Sequence, residues 1–474
     1  MTPPTARALP TLALLFAASM VSGGCEPKPP EQPWFPAAVE PPAVTSPRDA
    51  QPPAEGMLSV DIIVEVPKPE SGTFHVHETW RGITSPLRFK RHGDDSYRIE
   101  AVKLSVDGKP RKARRNGRVW RAEGDLGSDH VTVSYRVRPG GDGAGGRQGI
   151  LEGELALGDG RAWLLPISRQ PIGAARIRFD GLEGWTAATS LPRGDDGWHR
   201  YPADLDPRML TERLRTDCWA MGRFDRVDHA IGDVTVSSFV HTELKPGFTT
   251  YLHGATGDLA RWTHERLGLP PIPQAYVRTG HREKGLYGGA SLAGACFEGR
   301  HPDRSVRNAE VLARRMIGPW ITERLLPADP AEAWWREALP RTLSQVAVEA
   351  SGALESGLLG PDLWKAHQSA TDNRPLWAAM PLHRAPRVDN PTREYLHRTR
   401  GPLVLHSLAA MMALRSDTTL EAVLRDALAQ PRGPVRLQEL LERGSGTSLA
   451  DVFAAYVDGG LPLTPMVPGV VDDW

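Results

Sequence analysis

Hydrolysis of a peptide bond at a bound metal calls for a definite set of side chains. Two histidines one helical turn apart face one zinc ion, a glutamate beside the first activates water, and a third ligand comes from a neighbouring helix. This 474-residue chain has 15 histidines but no His-Glu-x-x-His. His-Glu occurs twice, as His264-Glu265 in THERLG and His77-Glu78 in HETWR, with Gly268 and Arg81 at the fifth positions. Both read as surface pairs, one on a helix and one on a strand. His229, His241, His253 and His264 lie 12, 12 and 11 residues apart, a spacing that fits no metal motif. Glu332 and Glu337 offer carboxylates without histidine partners. Ser291 follows Gly-Gly-Ala, but Leu292-Ala293 completes no nucleophile elbow. No Lys-Ser/Thr follows the glycine-rich Gly140 to Gly146, so that stretch reads as a hairpin loop and not as a phosphate cradle.

The elements that would position these residues change character along the chain. From Met57 to Asp204, runs such as LSVDIIVEV, TFHVHETW, YRIEAVKLSV and HVTVSYRV alternate apolar and polar residues, the period of a half-buried strand. Turn clusters such as VDGKP separate them, which predicts an antiparallel β-sandwich. Beyond Asp204 the period is helical. ATGDLARWTHERLG, NAEVLARRMIGPWITERLL, GPLVLHSLAAMMAL, LEAVLRDALA, VRLQELLERG and SLADVFAAYV predict helices, with short strands near AYVRTG and ACFEG. PAEAWWREALPRTLSQVAVEA is helical but carries Pro340, where a kink or break is expected. The expected class is therefore α+β: a sandwich over 57–204 and a mostly helical domain over 205–474.

Apolar residues make up 40% and charged residues 24%, which suits a globular protein. Lys+Arg and Asp+Glu are equal at 57 each, so net charge argues against a nucleic-acid partner. The N-terminus has one basic residue, Arg7, then an apolar run from Leu9 to Val21, and Ser22-Gly23-Gly24 precede Cys25. The run is too short to span a bilayer comfortably and reads as a signal-peptide core over 1–24. Cys25 resembles the lipidated cysteine of bacterial lipoproteins, although Ser22 stands where an apolar residue is usual; an ordinary secretory signal is the alternative. Glu26 to Ala54 holds ten prolines, so 25–56 reads as an extended tether. Cys218 and Cys296 are the two cysteines after the tether, and an exported location permits either a disulfide or two buried thiols.

From about Thr186 onward, about the last 290 residues, the chain resembles the alanyl-aminopeptidase family of zinc gluzincins. EGWTAATSLP resembles the end of that family's N-terminal β-domain, and TGDLARWTHERLGLPPIPQAYV the opening of its catalytic domain. YGGASLAGACF resembles the Gly-Ala-Met-Glu-Asn substrate strand, and EVLARRMIG the zinc helix His-Glu-Leu-Ala-His-Gln-Trp-Phe-Gly. WWREALPRTLSQVAVE resembles the third-ligand helix, while RTRGPLVLHSLAAMM and TSLADVFAAYVDGGLPL resemble two closing helices. The order and spacing of these stretches carry the resemblance together. It implies a thermolysin-like, mostly α-helical gluzincin domain behind the sandwich, with a cleft between them.

The resemblance also implies where the family's functional residues fall. The first zinc histidine falls on Glu310, the general base on Val311 and the second zinc histidine on Arg314. The third-ligand glutamate falls on Thr342 and the glutamate that grips a substrate's amino terminus on Ser291. The transition-state tyrosine falls on Arg398, with Tyr395 three residues off register. Between Arg314 and Trp334 the chain is about ten residues longer than the family pattern, through LLPADPAEA. Val311 cannot accept a proton, and Arg314 brings a fixed positive charge to the metal position. Glu310 and Arg314, spaced i, i+4, are expected to form an ion pair in the vacated site, against the alternative of an ordinary exposed helix pair.

The expectation is thus a lipid-anchored envelope protein with a degenerate aminopeptidase fold and no zinc. It would bind a peptide or protein through Ser291, Glu310, Arg314, Thr342 and Arg398, or act as a scaffold. The two arginines would favour an anionic group such as a peptide carboxylate. The alternatives are an active metallopeptidase with unconventional ligands and a purely structural envelope protein.

Overall fold

The computed structural model describes residues 56–463 apart from 85–87, 92–96, 123–129, 140–149, 168–169, 245, 269–273, 279–294, 297–304, 352–358 and 431–432. The expected signal peptide, Cys25, nearly all of the tether and the Gly140–Gly146 loop lie outside the described residues. Residues 48–474 form one compact unit.

Its first part is sheet-rich. In chain order the strands are β1 (Leu58–Glu65), β2 (Phe74–Arg81), β3 (Arg88–Arg91), β4 (Tyr97–Val106), β5 (Lys109–Arg111), β6 (Ala113–Asn116), β7 (Val119–Ala122) and β8 (His130–Pro139). They continue with β9 (Ile150–Glu152), β10 (Leu155–Asp159), β11 (Leu164–Pro166), β12 (Ile172–Asp180), β13 (Thr186–Ala188) and β14 (His199–Arg200). Helix α1 (Pro207–Thr216) and β15 (Cys218–Gly222) follow. The main sheet runs β14-β12-β1-β2-β8-β4-β5, and two four-stranded sheets, β13-β15-β10-β9 and β11-β3-β7-β6, accompany it. The period-two reading holds in β1 and β2, which bury every second residue, whereas β10 and β15 are buried throughout. One pairing departs from the antiparallel expectation, because β1 runs parallel to β12 along its whole length. The sheet is mixed because a parallel partner needs a long crossover, and the chain between β1 and β12 supplies one.

The sheet-rich part also reaches past the expected change of texture at Asp204. Asp206 caps α1 through bonds to the Arg208 and Met209 amides, and Leu210 and Leu214 enter the same core as Trp163 and Trp219. β15 then pairs with β10 and β13.

The rest is mostly helical but opens with a hairpin that the sequence reading missed. β16 (Phe224–Ile231) and β17 (Val234–His241) pair antiparallel, and β18 (Gln274–Arg278) and β19 (Ala295–Cys296) add parallel to them. Leu157, Ala220, Phe239 and Val277 form a small apolar cluster that joins this sheet to the first part. The helices are α2 (Pro246–Leu267), α3 (Ser305–Arg324), α4 (Trp334–Ala350), α5 (Leu359–Asn373), α6 (Asn390–Tyr395), α7 (Gly401–Ser416), α8 (Leu420–Ala429) and α9 (Leu437–Ser445). A five-residue π-helical stretch, Leu396–Arg400, joins α6 to α7.

Helix α4 is the central rod. Trp334, Trp335, Ala338, Leu339, Leu343, Ala347 and Val348 are buried, and so are Thr342, Ser344 and Gln345. A helix buried nearly all round needs local partners for its polar groups. Thr342 Oγ1 donates to the Ala338 carbonyl, and Gln345 Oε1 lies 2.9 Å from His406 Nε2 on α7. The break expected at Pro340 does not occur, since the helix runs through it. An interior proline costs about 3 kcal/mol, which the apolar burial on both sides of Pro340 offsets.

Candidate functional site

Helices α3 and α4 pack against each other and bring together two positions that the sequence singled out, Glu310 and Thr342. The charge pairing differs from the expectation. Glu310, 9% exposed, faces Arg341 across the helix pair, with Arg341 Nε 3.2 Å from Glu310 Oε1. Among the described residues there is no Glu310–Arg314 pair; Arg314 is partly buried one turn further on. The reason is the packing. Glu310 lies against α4, so a cation on the facing helix satisfies it with less solvent between them than a side chain four residues along its own surface would.

Thr342 is 0% exposed, and its hydroxyl is used within its own helix, so it lines no open surface. Val311 is partly buried against the helical core. The Arg398 side chain is 61% exposed and lies 3.6 Å from Glu394, an i, i+4 surface pair that links the end of α6 to the π-helical segment. Tyr395 is buried, with its hydroxyl 2.8 Å from His367 Nδ1 and its ring stacked on Trp377. Ser291 and the side chain of Cys296 lie outside the described residues. Cys218 is buried in β15.

Arg341 is the residue that sequence reasoning missed. It sits one position before Thr342 and is a cation midway along a helix that is buried on most of its faces. A fixed charge on a helix destined for burial requires a partner, and that signal was available in WWREALPRTLSQ.

The HETWR pair is corrected more fully. His77 is partly exposed and bonds Ser134, but Glu78 is 0% exposed. It accepts from the Tyr135 hydroxyl at 2.5 Å, from Trp80 Nε1 at 2.9 Å and from the Leu164 amide at 3.1 Å. Burial pushes its pKa up to about 7, against the pull of those three donors. The alternation itself carried the signal: Phe74, Val76, Glu78 and Trp80 share one face.

Of the scattered histidines, His229 on β16 and His253 on α2 are brought together. Burial, with Arg261 nearby, lowers the pKa of His229, and a hydrogen bond to the His253 backbone opposes that only in part. His253 Nδ1 lies 2.8 Å from Ser238 Oγ, and burial pushes its pKa down to about 4. His241 ends β17, and His264 lies in the last turn of α2.

The insertion LLPADPAEA is built into the fold. β20 (Leu325–Pro327) pairs parallel with β21 (Gly433–Val435), and the Asp329 side chain caps the short turn that follows. Two cavities flank it. One, of about 360 Å³, is lined by Arg324, Arg436 and Arg443 among others. The other, of about 210 Å³, is lined by Glu332, Trp335, His383 and Asp458 among others. Neither is lined by Glu310, Arg314, Thr342 or Arg398.

No family model matches the sequence, and no curated protein matches it. Solved structures do match. An aminopeptidase N family protein from Idiomarina loihiensis aligns with a TM-score of 0.65 at 14% identity, over 86% of this chain and 77% of that one. A variant of an M1 zinc metallopeptidase from Deinococcus radiodurans, bound to Tyr-Ser-Ala, aligns with a TM-score of 0.53 at 18% identity, over 87% and 96%. The sheet-rich first part and the mostly helical second part are, in order and extent, the fold of the M1 aminopeptidases.

Proposed function

We propose that this protein is a catalytically degenerate member of the M1 aminopeptidase fold that binds a peptide or protein segment. The Glu310–Arg341 ion pair carries the reading, because it sits where the family resemblance puts the first zinc histidine and the neighbour of the third ligand. The residues do not fit a zinc ion. Glu310 is the one carboxylate at the carried-over positions, and a guanidinium already faces it. Arg314 adds a second positive charge, and the Thr342 hydroxyl is committed to its own helix. A dication beside two guanidiniums would be repelled in a low-dielectric cleft. Val311 offers no base for water.

Arg314 is the group at these positions that remains for a ligand. A guanidinium matches a carboxylate with two parallel hydrogen bonds, so a peptide C-terminus or an acidic side chain is the proposed occupant. We further propose that the chain is exported, lipidated on Cys25 and held at the cell envelope by the proline-rich segment, with the helices of the second part in a thermolysin-like arrangement.

The deciding experiment measures zinc on the purified chain after exchange into metal-free buffer, alongside binding of a peptide library. Less than about a tenth of an equivalent of zinc is expected, with Arg314→Ala weakening carboxylate-bearing peptides about tenfold or more. Near one equivalent of zinc with aminopeptidase turnover would overturn the reading.

A further inference from the structure

The chain is neutral overall, yet its charge is unevenly spread. Between Gly108 and Ala122 there are seven basic residues and no acidic one. The sheet β11-β3-β7-β6 gathers part of this run onto one face. Register sets Arg88 of β3 opposite Arg121 of β7, and Arg121 opposite Arg114 of β6, so three arginines stand abreast. Lys90, two residues from Arg88, shares their side. On the opposite side Phe89 and Trp120 enter the core, Arg91 is buried beside them and Arg115 lies over the Trp120 ring. β5, at the edge of the main sheet, carries Lys109 and Arg111 and leads through Lys112 into β6; all three are exposed.

Like charges directly across an antiparallel ladder destabilise it, and Arg88 and Arg121 face each other with no ion pair to offset this. The main sheet treats its arginines differently. Arg81 and Arg176 both reach Asp61, and Arg178 reaches Asp180. Among the described residues, Arg88, Lys90, Lys109, Arg111, Lys112 and Arg121 form no ion pair.

We infer that this face docks on an anionic lipid surface, with the exposed cations against headgroup phosphates. Three strands abreast spread the charges over about 10 Å, a match for an array of phosphates and not for one small anion. The aromatic side chains of these strands point into the core, so the face lacks the exposed rings on which single-stranded nucleic acid stacks. The membrane context rests on the proposed anchor at Cys25, but the charge row stands apart from it, and the test below uses a chain without Cys25.

The chain from Arg48 onward, the compact unit, is sedimented with vesicles of phosphatidylcholine alone and of phosphatidylcholine and phosphatidylglycerol in equal parts. Binding is expected only to the second, and high salt should weaken it. The triple variant R88Q/K112Q/R121Q should partition on the order of a hundredfold more weakly while melting no lower than the parent. Should that variant fail to fold, K90Q/K109Q/R111Q makes the same test. Parent protein that ignores the anionic vesicles, or a folded variant that binds them equally, would overturn the inference. So would tight binding to duplex DNA or heparin without vesicle binding, which would assign the face to another polyanion. Vesicle binding by the parent with full zinc occupancy would leave this inference standing while removing the degenerate-site reading.

Discussion

The Glu310–Arg341 pair makes two demands of different strength. Each partner is partly shielded, so removing the cation leaves a carboxylate facing a helix with little water to replace it. Arg341→Met is expected to lower stability by about 2 kcal/mol, and adding Glu310→Gln should restore most of the loss; denaturant midpoints of the two single variants and the double variant check this. A loss in the double variant equal to the sum of the two single losses would show that the pair contributes no coupling. That EVLARRMIG and WWREALPRTL lie in helices was legible in the sequence. The partner of Glu310 was not, because an i, i+4 rule sees one helix, and the choice between Arg314 and Arg341 is made by which face of α3 meets α4.

At the scale of elements, alternation and helical period named most of the strands and helices, and they failed where local pattern is weak. The β16–β17 hairpin has an outward strand rich in charge, FDRVDHAI, which does not read as part of a helical domain. The continuity of α4 through Pro340 depends on burial that no local rule contains. The contact between α4 and α7 gives an element-scale test. A Cβ at Gly401 would come within 2.8 Å of both Ala338 Cβ on α4 and the Leu396 carbonyl. Gly401→Ala should therefore push the helices apart and cost about 1–3 kcal/mol, read as a lower melting temperature. An unchanged midpoint would mean that the helix pair tolerates the shift.

Across the whole molecule, buried ionisable groups set opposing pH responses in its two parts. Glu78 in the sheet-rich part titrates higher when folded, about 7 against 4.5, so the folded state holds its proton more tightly. That stability is fully present below pH 4.5 and is lost as pH rises through 7. In the second part, His253, His367 and His406 are pushed down to about 4 by burial. Their contribution is present above pH 6.5, the ordinary histidine value, and is lost as pH falls toward 4. Three histidines outweigh one carboxyl, so unfolding free energies should rise from pH 4 to about pH 7 and level off above it. Glu78→Gln should steepen the rise between about pH 5 and 7; a variant with an unchanged slope there would place the opposing response elsewhere.

The parallel pairing of β1 has a mechanical consequence. The chain enters the compact unit at β1, which lies third in a seven-stranded sheet with β12 on one side and β2 on the other. Its eight residues pair with β12 across one bulge after Leu58, and seven of them pair with β2. Tension arriving through the residues before Met57 is directed along the axis of an interior strand. It must slide that strand past two ladders at once, whereas an edge strand could be peeled away one pair at a time. The point at which the chain would be pulled is thus one of the places where the sheet is hardest to open.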